Sequence, residues 1–268
     1  MTDTPVITDS HCHLDFPDFA EELPDVIARA QDAGIQRMIT ICTKMKNVDQ
    51  VKAISERFDP VYWAAGTHPM SAAEEPLVSV EELVALAAHP KFVGIGETGL
   101  DYHYTAESKA IQQESLLIHI EAARQTKLPL IIHARAADED MARILSEEHA
   151  KGAYDCVMHC YCSGPELAKT ATDLGFYLSM SGIATFKNSQ EVRDIFAAAP
   201  VDRVLLETDA PYLAPTPFRG KRNEPAYTAH TGRLGAEVFG MEYADFAAQT
   251  EANFERLFTR AVATREAA

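Results

Sequence analysis

Six side chains of the kind that bind metal ions close five separate apolar runs of this chain: His11 and His13, Glu97, His133, His159 and Asp209. The runs, 6–11, 92–97, 130–133, 156–159 and 204–209, have the length and composition of buried strands. Parallel strands of one sheet point the same way, so their last residues meet at one end of it. Imidazoles and carboxylates gathered there have little structural use. They suit one or two divalent ions, and the chemistry that follows is metal-assisted hydrolysis.

Spacing sharpens this reading. His11 and His13 lie two residues apart, so in extended chain both rings project to the same side and can reach one ion. Cys12 between them faces the other way and reads as a small apolar filler. A lone His-x-His could equally be a buried histidine resting on a carbonyl; agreement among five strand ends is what carries the metal reading. A zinc site with an open position uses about three protein ligands. Six are present here, which points to two ions with Glu97 as the bridge. A carboxylated lysine is another way to build such a bridge, but Lys91 precedes the strand and no other lysine lies near its end.

Elements to position these residues can be read along the chain. Three more strand-like runs, 37–41, 61–66 and 175–179, bring the count to eight. Helical stretches fall between the runs at 21–33, 47–58, 79–89, 107–127, 138–149, 164–173 and 189–198. In 107–127, Ile111, Leu116, Leu117, Ile120 and Ala123 recur near helical spacing and are expected to form one inward face. Repeated βα units of this number predict an α/β fold, a (β/α)8 TIM barrel with the metal site at the C-terminal ends of its strands. A Pro-rich loop, 210–225, follows the eighth strand, and two final helices follow the loop. No low-complexity linker or internal repeat intervenes, so 1–268 reads as a single domain. Residues 94–99 spell G-x-G-x-x-G, yet Leu100-Asp101-Tyr102-His103-Tyr104 starts no helix that could face a pyrophosphate, and the dinucleotide reading fails. The glycines are expected instead to let the backbone pass close to the ions.

Composition fits a soluble enzyme of 268 residues with 47% apolar content, enough for a sizeable core. Residues 1–5 carry neither a basic region nor an apolar stretch, and the longest apolar runs are strand-sized, so neither export nor membrane contact is expected. Cys156, Cys160 and Cys162 crowd one strand end within an odd total of five cysteines, a pattern of reduced thiols in a cytoplasmic protein. The chain is expected to act as a monomer. A net charge of −16 excludes a broad basic footprint for long nucleic acid. Any attraction for nucleic acid must be local, and Arg219, Lys221 and Arg222 form the compact basic cluster that could supply it. The acidic pairs at 21–22, 74–75, 81–82 and 147–148 read as solvated helix faces.

Seven motifs, taken in order, resemble those of the TatD-type metal-dependent DNases of the amidohydrolase superfamily. They are Asp9-Ser10-His11-Cys12-His13-Leu14-Asp15, Gly66-Thr67-His68-Pro69, Gly96-Glu97-Thr98-Gly99-Leu100-Asp101-Tyr102, Ile132-His133-Ala134-Arg135, His159 with Ser163-Gly164, Glu207-Thr208-Asp209-Ala210-Pro211-Tyr212, and Arg222-Asn223-Glu224-Pro225. The resemblance spans essentially the whole chain. It implies that His11, His13, Glu97 and Asp209 hold one ion and Glu97, His133 and His159 the other. Two departures stand out. The turn Cys160-Tyr161-Cys162-Ser163-Gly164 is one residue longer than the family's, and Phe218 replaces a frequent histidine before Arg219-Gly220-Lys221.

The chemistry implied is two-metal hydrolysis of a phosphodiester, with single-stranded DNA trimmed from its 3′ end. Glu97 and Asp209 are the expected catalytic carboxylates, Asp209 orienting the attacking water or taking its proton. His68 and Arg135 are expected to contact the phosphate, although His68 could merely fix the turn before Pro69, and Arg135 could pair with Asp101 or Asp138. Arg219, Lys221, Arg222 and Tyr102 are expected to bind substrate; Tyr102, Tyr104, Tyr161 and Tyr212, all near strand ends, could stack on bases, although each taken alone reads more readily as packing. The ligand set admits Zn²⁺, Mg²⁺ or Mn²⁺. Two other functions use the same residues: an amide or ester hydrolase such as a D-aminoacyl-tRNA deacylase, and a metal-binding protein without catalysis.

Overall fold

Eight parallel strands follow one another around the sheet in the order of the sequence. They are β1 Ile7–Cys12, β2 Ile35–Cys42, β3 Val61–Ala65, β4 Phe92–Asp101, β5 Leu130–Arg135, β6 Cys156–Met158, β7 Tyr177–Met180 and β8 Val204–Leu206. The computed structural model describes residues 4–266; of the N-terminal stretch read for targeting, residues 1–3 lie outside it. The ring closes beyond β8, where the Asp209 N–H donates to the His11 carbonyl at 2.9 Å and the His13 N–H to the Ala210 carbonyl at 2.8 Å. Eight parallel strands with helices between them make the TIM barrel that the sequence predicts.

Period-two alternation divides the apolar residues between two layers. On β2, Ile39 and Ile41 join Ala64, Val93, Ile131, Val157 and Leu205 in one cluster, the filling of the barrel. Met38 and Cys42 on the same strand belong to the larger cluster between strands and helices. That outer layer is completed by α1 Leu23–Asp32, α2 Val48–Arg57, α3 Val80–Leu86, α4 Lys109–Thr126, α5 Asp138–Lys151, α6 Pro165–Asp173, α7 Gln190–Ala198 and α8 Thr228–Phe239. In α4, Leu116, Ile120 and Ala123 are buried as expected, but Leu117 is 42% exposed. Adjacent helical positions diverge by about 100°, so Leu116 and Leu117 cannot share a face. Gln112, Ser115, His119 and Ala122 take the remaining inward positions.

The chain ends in three helices after the long loop rather than two, because α10 Thr259–Glu266 follows α9 Tyr243–Leu257 with a break at Phe258. This pair seals the N-terminal mouth. Phe254, Leu257, Phe258 and Ala261 belong to the barrel-filling cluster. Asn253 Nδ2 donates to the Val201 and Val204 carbonyls at 2.8 Å each, and Thr264 Oγ1 to the Pro90 carbonyl at 3.0 Å. All three acceptors lie where strands begin. The opposite mouth is left open.

β4 runs on to Asp101, so Glu97 is an interior residue of its strand rather than the last one. Its glycines serve strand packing. A Cβ at Gly99, where φ is 141°, would lie 1.9 Å from the His133 carbonyl oxygen, and one at Gly96 would lie 2.4 Å from that of Ile131. The close fit of β4 on β5 thus requires both. Among the described residues, no helix is long and apolar enough to cross a membrane.

Candidate metal centre

The open mouth collects the six ligand-type residues as expected, and Glu97 is the hub. Glu97 Oε1 lies 2.8 Å from His159 Nε2, 3.2 Å from His133 Nδ1 and 3.3 Å from His68 Nε2, while Oε2 lies 3.4 Å from His11 Nε2. Asp209 Oδ1 is 3.3 Å from His13 Nε2 and 3.8 Å from His11 Nε2. Asp209 has φ 57°, a conformation few side chains adopt, held by its own N–H on His11 and by the Tyr212 N–H on its carbonyl at 2.9 Å. Three triads bring ligand atoms within 4.8 Å of one another: His11, His13 and Glu97; His68, Glu97 and His133; and His11, His159 and Glu207.

Which histidines can ligate follows from what their far nitrogens do. His13 Nδ1 sits 3.3 Å from the Ile41 carbonyl, an acceptor only, so it carries a proton, and Nε2, 3.3 Å from Asp209, is the nitrogen an ion would take in place of the proton shared there. His133 Nε2 faces Asp101 Oδ2 at 3.2 Å, and His159 Nδ1 faces Glu207 Oε1 at 3.3 Å. Each therefore turns its other nitrogen, the one an ion would take once its proton leaves, toward Glu97. His68 is the opposite case. Its Nδ1 accepts the Met70 N–H at 3.2 Å, so Nε2 must carry the proton, and it faces Glu97 at 3.3 Å. Despite its place in a triad, His68 is set up as a hydrogen-bond donor rather than a ligand. It also fixes the turn before Pro69, so both of its expected roles are compatible.

Asp101 and Glu207 thus orient two of the histidines, a part the sequence alone did not give them: there Asp101 reads only as a partner of Arg135 and Glu207 only as part of a motif. A signal was present: Asp101 stands four positions after Glu97 and Glu207 two before Asp209, even spacings that share a strand face. His119 was missed as well. Its Nε2 accepts the Thr67 N–H at 3.0 Å and its Nδ1 meets the Ser115 carbonyl at 2.7 Å, bracing the segment that carries His68.

Burial and charge oppose each other here. Burial works to raise the Glu97 carboxyl, but the charges of His159 and His68 and the His11 contact outweigh it and hold it well below the usual range. Burial likewise opposes protonation of His159 and His13, yet Glu97 and Glu207 push the first well up and Asp209 lifts the second to about 9. Asp101 falls to about 2, burial being overcome by His133 and by the N–H groups of Tyr104 and His103. Burial dominates at His11 and keeps it below the imidazole range. Both His11 ring nitrogens are buried without a hydrogen-bond partner among the described residues, because the 3.4 Å approach to Glu97 falls short of bonding geometry. An imidazole with two idle nitrogens, between two carboxylates, fits a divalent cation better than it fits a folded core. Imidazoles and carboxylates in this ratio match one or two such ions.

A cavity of about 830 Å³ opens above the cluster. His13, His68, Glu97, His133, His159 and Asp209 all line it, and so does Arg135. Arg135 pairs with neither Asp101 nor Asp138; its guanidinium lies 4.6 Å over the Tyr104 ring. The substrate-binding expectations fare differently. Tyr102 does not line the cavity: its hydroxyl donates to Asp140 at 2.9 Å and accepts from Gln113 at 2.8 Å, and Lys109 covers its ring. Tyr104 takes that place instead. Tyr161 is buried packing, its hydroxyl on the Gly164 carbonyl at 2.6 Å. The basic cluster is dispersed, and none of its three members lines the cavity. Arg222 is bound to Glu22 at 2.7 Å and lies over Phe19, Arg219 lies over Phe186, and Lys221 is exposed. Nor are all the acidic pairs solvated, since Glu148 is buried against Arg124 at 2.8 Å.

Known proteins resemble this chain over most of its length. The chain is 40% identical over 257 residues to the Escherichia coli K12 protein named uncharacterized metal-dependent hydrolase YcfH, covering 94% of this chain and 95% of that one. It is 30% identical over 247 residues to the Shigella flexneri protein named 3′-5′ ssDNA/RNA exonuclease TatD, covering 90% and 94% of the two chains. The crystal structure of the TatD homologue YjjV from Escherichia coli K12 superposes with a TM-score of 0.88 at 29% identity, over 94% of this chain and 98% of that one. The family profile described as TatD related DNase matches residues 8–259, and the chain belongs to that family of metal-dependent hydrolases.

Proposed function

We propose that this chain is a two-metal phosphodiesterase that trims single-stranded DNA from its 3′ end. The observation that carries the metal half of this reading is His11, buried with both nitrogens idle beside a glutamate that three more imidazoles approach. The relative named a 3′-5′ ssDNA/RNA exonuclease supports the substrate half. One ion would be held by His11, His13, Glu97 and Asp209, the other by Glu97, His133 and His159, with Glu97 shared. Asp101 and Glu207 keep the His133 and His159 tautomers in ligating form. When bound, the ions acidify a water and neutralise charge on the phosphoryl oxygens.

The protein's own groups do the rest. The Asp209 side chain is 14% exposed, against 3% for Glu97, so Asp209 meets the attacking water and takes its proton on a carboxylate oxygen. His68 donates from Nε2 to a phosphoryl oxygen, and Arg135 contacts the phosphate beside it. The surface charge of −16 keeps binding local, and a shallow salt dependence is expected, about two to four counterions at ~0.7 each for single strands. An open cavity beside the ligands disfavours a purely metal-holding role.

The test is turnover of the ion-loaded protein on single-stranded DNA, duplex DNA, RNA and D-aminoacyl-tRNA side by side. Fastest release from single-stranded 3′ ends supports the proposal. Preference for the aminoacyl ester moves the site to the deacylase reading, and equal cutting of closed circular DNA removes the need for an end.

A further inference from the structure

Few large apolar side chains are left in solvent, and they are unevenly placed. Among the described residues, Val6, Met70, Leu117, Tyr104 and Tyr212 are the exposed ones, and the last two, at 55% and 53%, are the most exposed. Met70, Tyr104 and Tyr212 all line the cavity above the metal centre. Single exposed apolar residues are ordinary, but three of five around one mouth are not.

The two tyrosines stand on opposite sides of it. Tyr104 follows β4 and is covered by Arg135 from the end of β5. Tyr212 follows β8 and meets the edge of Phe16, which follows β1, at 5.8 Å. In a ring of eight strands ordered by sequence, β4 and β5 lie across from β8 and β1. Both tyrosines have tethered backbones. The Tyr104 N–H donates to Asp101 Oδ1 at 2.8 Å, and the Tyr212 carbonyl accepts from Asn223 Nδ2 at 2.6 Å. Phe16 is itself stacked on His13 at 4.9 Å. Arg135 has no carboxylate partner among the described residues, so its charge is uncommitted beside the Tyr104 ring.

We propose that these are two stacking platforms for nucleobases, Tyr104 with Arg135 on one side and Tyr212 with Phe16 on the other, holding the two bases that flank the scissile phosphodiester. The inference rests on the nuclease reading and adds its substrate requirement: two unstacked neighbouring bases at a strand end. Every base offers a π-face, so the platforms select for single-strandedness rather than for sequence. Arg135 then serves two purposes, stiffening one platform and meeting the phosphate between the bases. A paired end would have to fray first, because bases inside a duplex present no free face.

The test uses the ion-loaded full-length protein and oligonucleotides carrying an abasic residue at the last or the next-to-last 3′ position. In the parent protein, each abasic residue should raise KM about tenfold, with kcat changed far less. Tyr104→Ala should raise KM on the intact strand about tenfold and abolish the abasic penalty at one of the two positions; Tyr212→Ala should abolish it at the other. Tyr104→Phe and Tyr212→Phe keep the ring and should behave as the parent, which separates stacking from folding. Quenching of 2-aminopurine at each position on binding should be lost in the same pairing. If the parent cleaves strand ends while both alanine variants keep both penalties, the platforms are wrong and the nuclease reading survives. Loss of both penalties in one variant alone would also overturn the two-sided arrangement. If the loaded parent cleaves no oligonucleotide, both readings fall together.

Discussion

Arg37 and His11 sit on adjacent strands, both almost fully buried, at opposite ends of the same barrel. Near the start of β2, Arg37 is fully engaged: Nε on Thr8 at 3.2 Å, one terminal nitrogen on Glu255 at 3.1 Å, the other on Glu251, and the plane over Phe254. Near the end of β1, His11 has neither nitrogen bonded. Burial of a polar group costs free energy unless it is partnered. Arg37 meets that cost within the chain, from Thr8 and α9. His11 does not, which marks the open end as the place where something else completes the set. Stability belongs to the first end and chemistry to the second.

The largest expected effect tests that division at the open end. Glu97→Ala and Asp209→Ala should each lower turnover by at least ~10³-fold while far-UV circular dichroism and the urea midpoint show a folded barrel. Asp209→Asn should retain more metal than Glu97→Ala, since losing a shared ligand loosens both ions. Near-normal activity in either alanine variant would defeat the mechanism.

The reciprocal change is Arg37→Met, which strands the Glu251 carboxylate at the sealed end and releases the half-exposed Glu255 to solvent. It should cost about 3 kcal/mol in urea unfolding, with activity of the folded fraction unchanged. An activity loss without destabilisation would show that the two ends are not separable.

His119 refines the contrast, because it is as buried as His11 but bonded at both nitrogens. Burial lowers its pKa to about 4 from the ordinary imidazole value of 6.5. Below 6.5 the unfolded chain takes up a proton that the folded chain refuses, so stability falls as pH falls, until about 4. By one pH unit below 6.5 the loss is about 1 kcal/mol, and across the window about 3 kcal/mol. His119→Gln should flatten the pH dependence of the urea midpoint over that range relative to the parent. An unchanged slope would mean that His119 titrates normally. The smallest effect is expected far from both ends: Ser79→Ala removes the capping box of α3 with Glu82 and should cost about 1 kcal/mol with no change in activity.

The sequence made the open end easier to read than the closed one, for a physical reason. A histidine or aspartate that ends an apolar run is conspicuous, because strand periodicity leaves no other cause for it. His11, His13, Glu97, His133, His159 and Asp209 were all visible in that way. Asp101 and Glu207 were not, because they serve histidines from other strands: their even spacing from Glu97 and Asp209 marks the face they share, but nothing local announces partners 32 or 48 residues away. His119 lay concealed at an ordinary inward position of α4. Arg222 misled for the same reason: its partner Glu22 is 200 residues away, so a basic run along the chain dissolved into separate contacts in space. The break at Phe258 was hidden because its cause is the apolar filling of the barrel, not any helix-ending residue nearby.

Counting ions on folded protein tests the central claim most directly. Equilibrium dialysis against Zn²⁺ or Mn²⁺, at saturating ion and with folding verified in the same sample, should plateau at two ions per chain. Protons should be released as the ions enter, because His13, His133 and His159 are raised by their carboxylate neighbours and must give up the protons they share with them. A firm plateau at one ion would contradict the Glu97-bridged arrangement. No uptake at all would mean that the idle nitrogens of His11 have been misread.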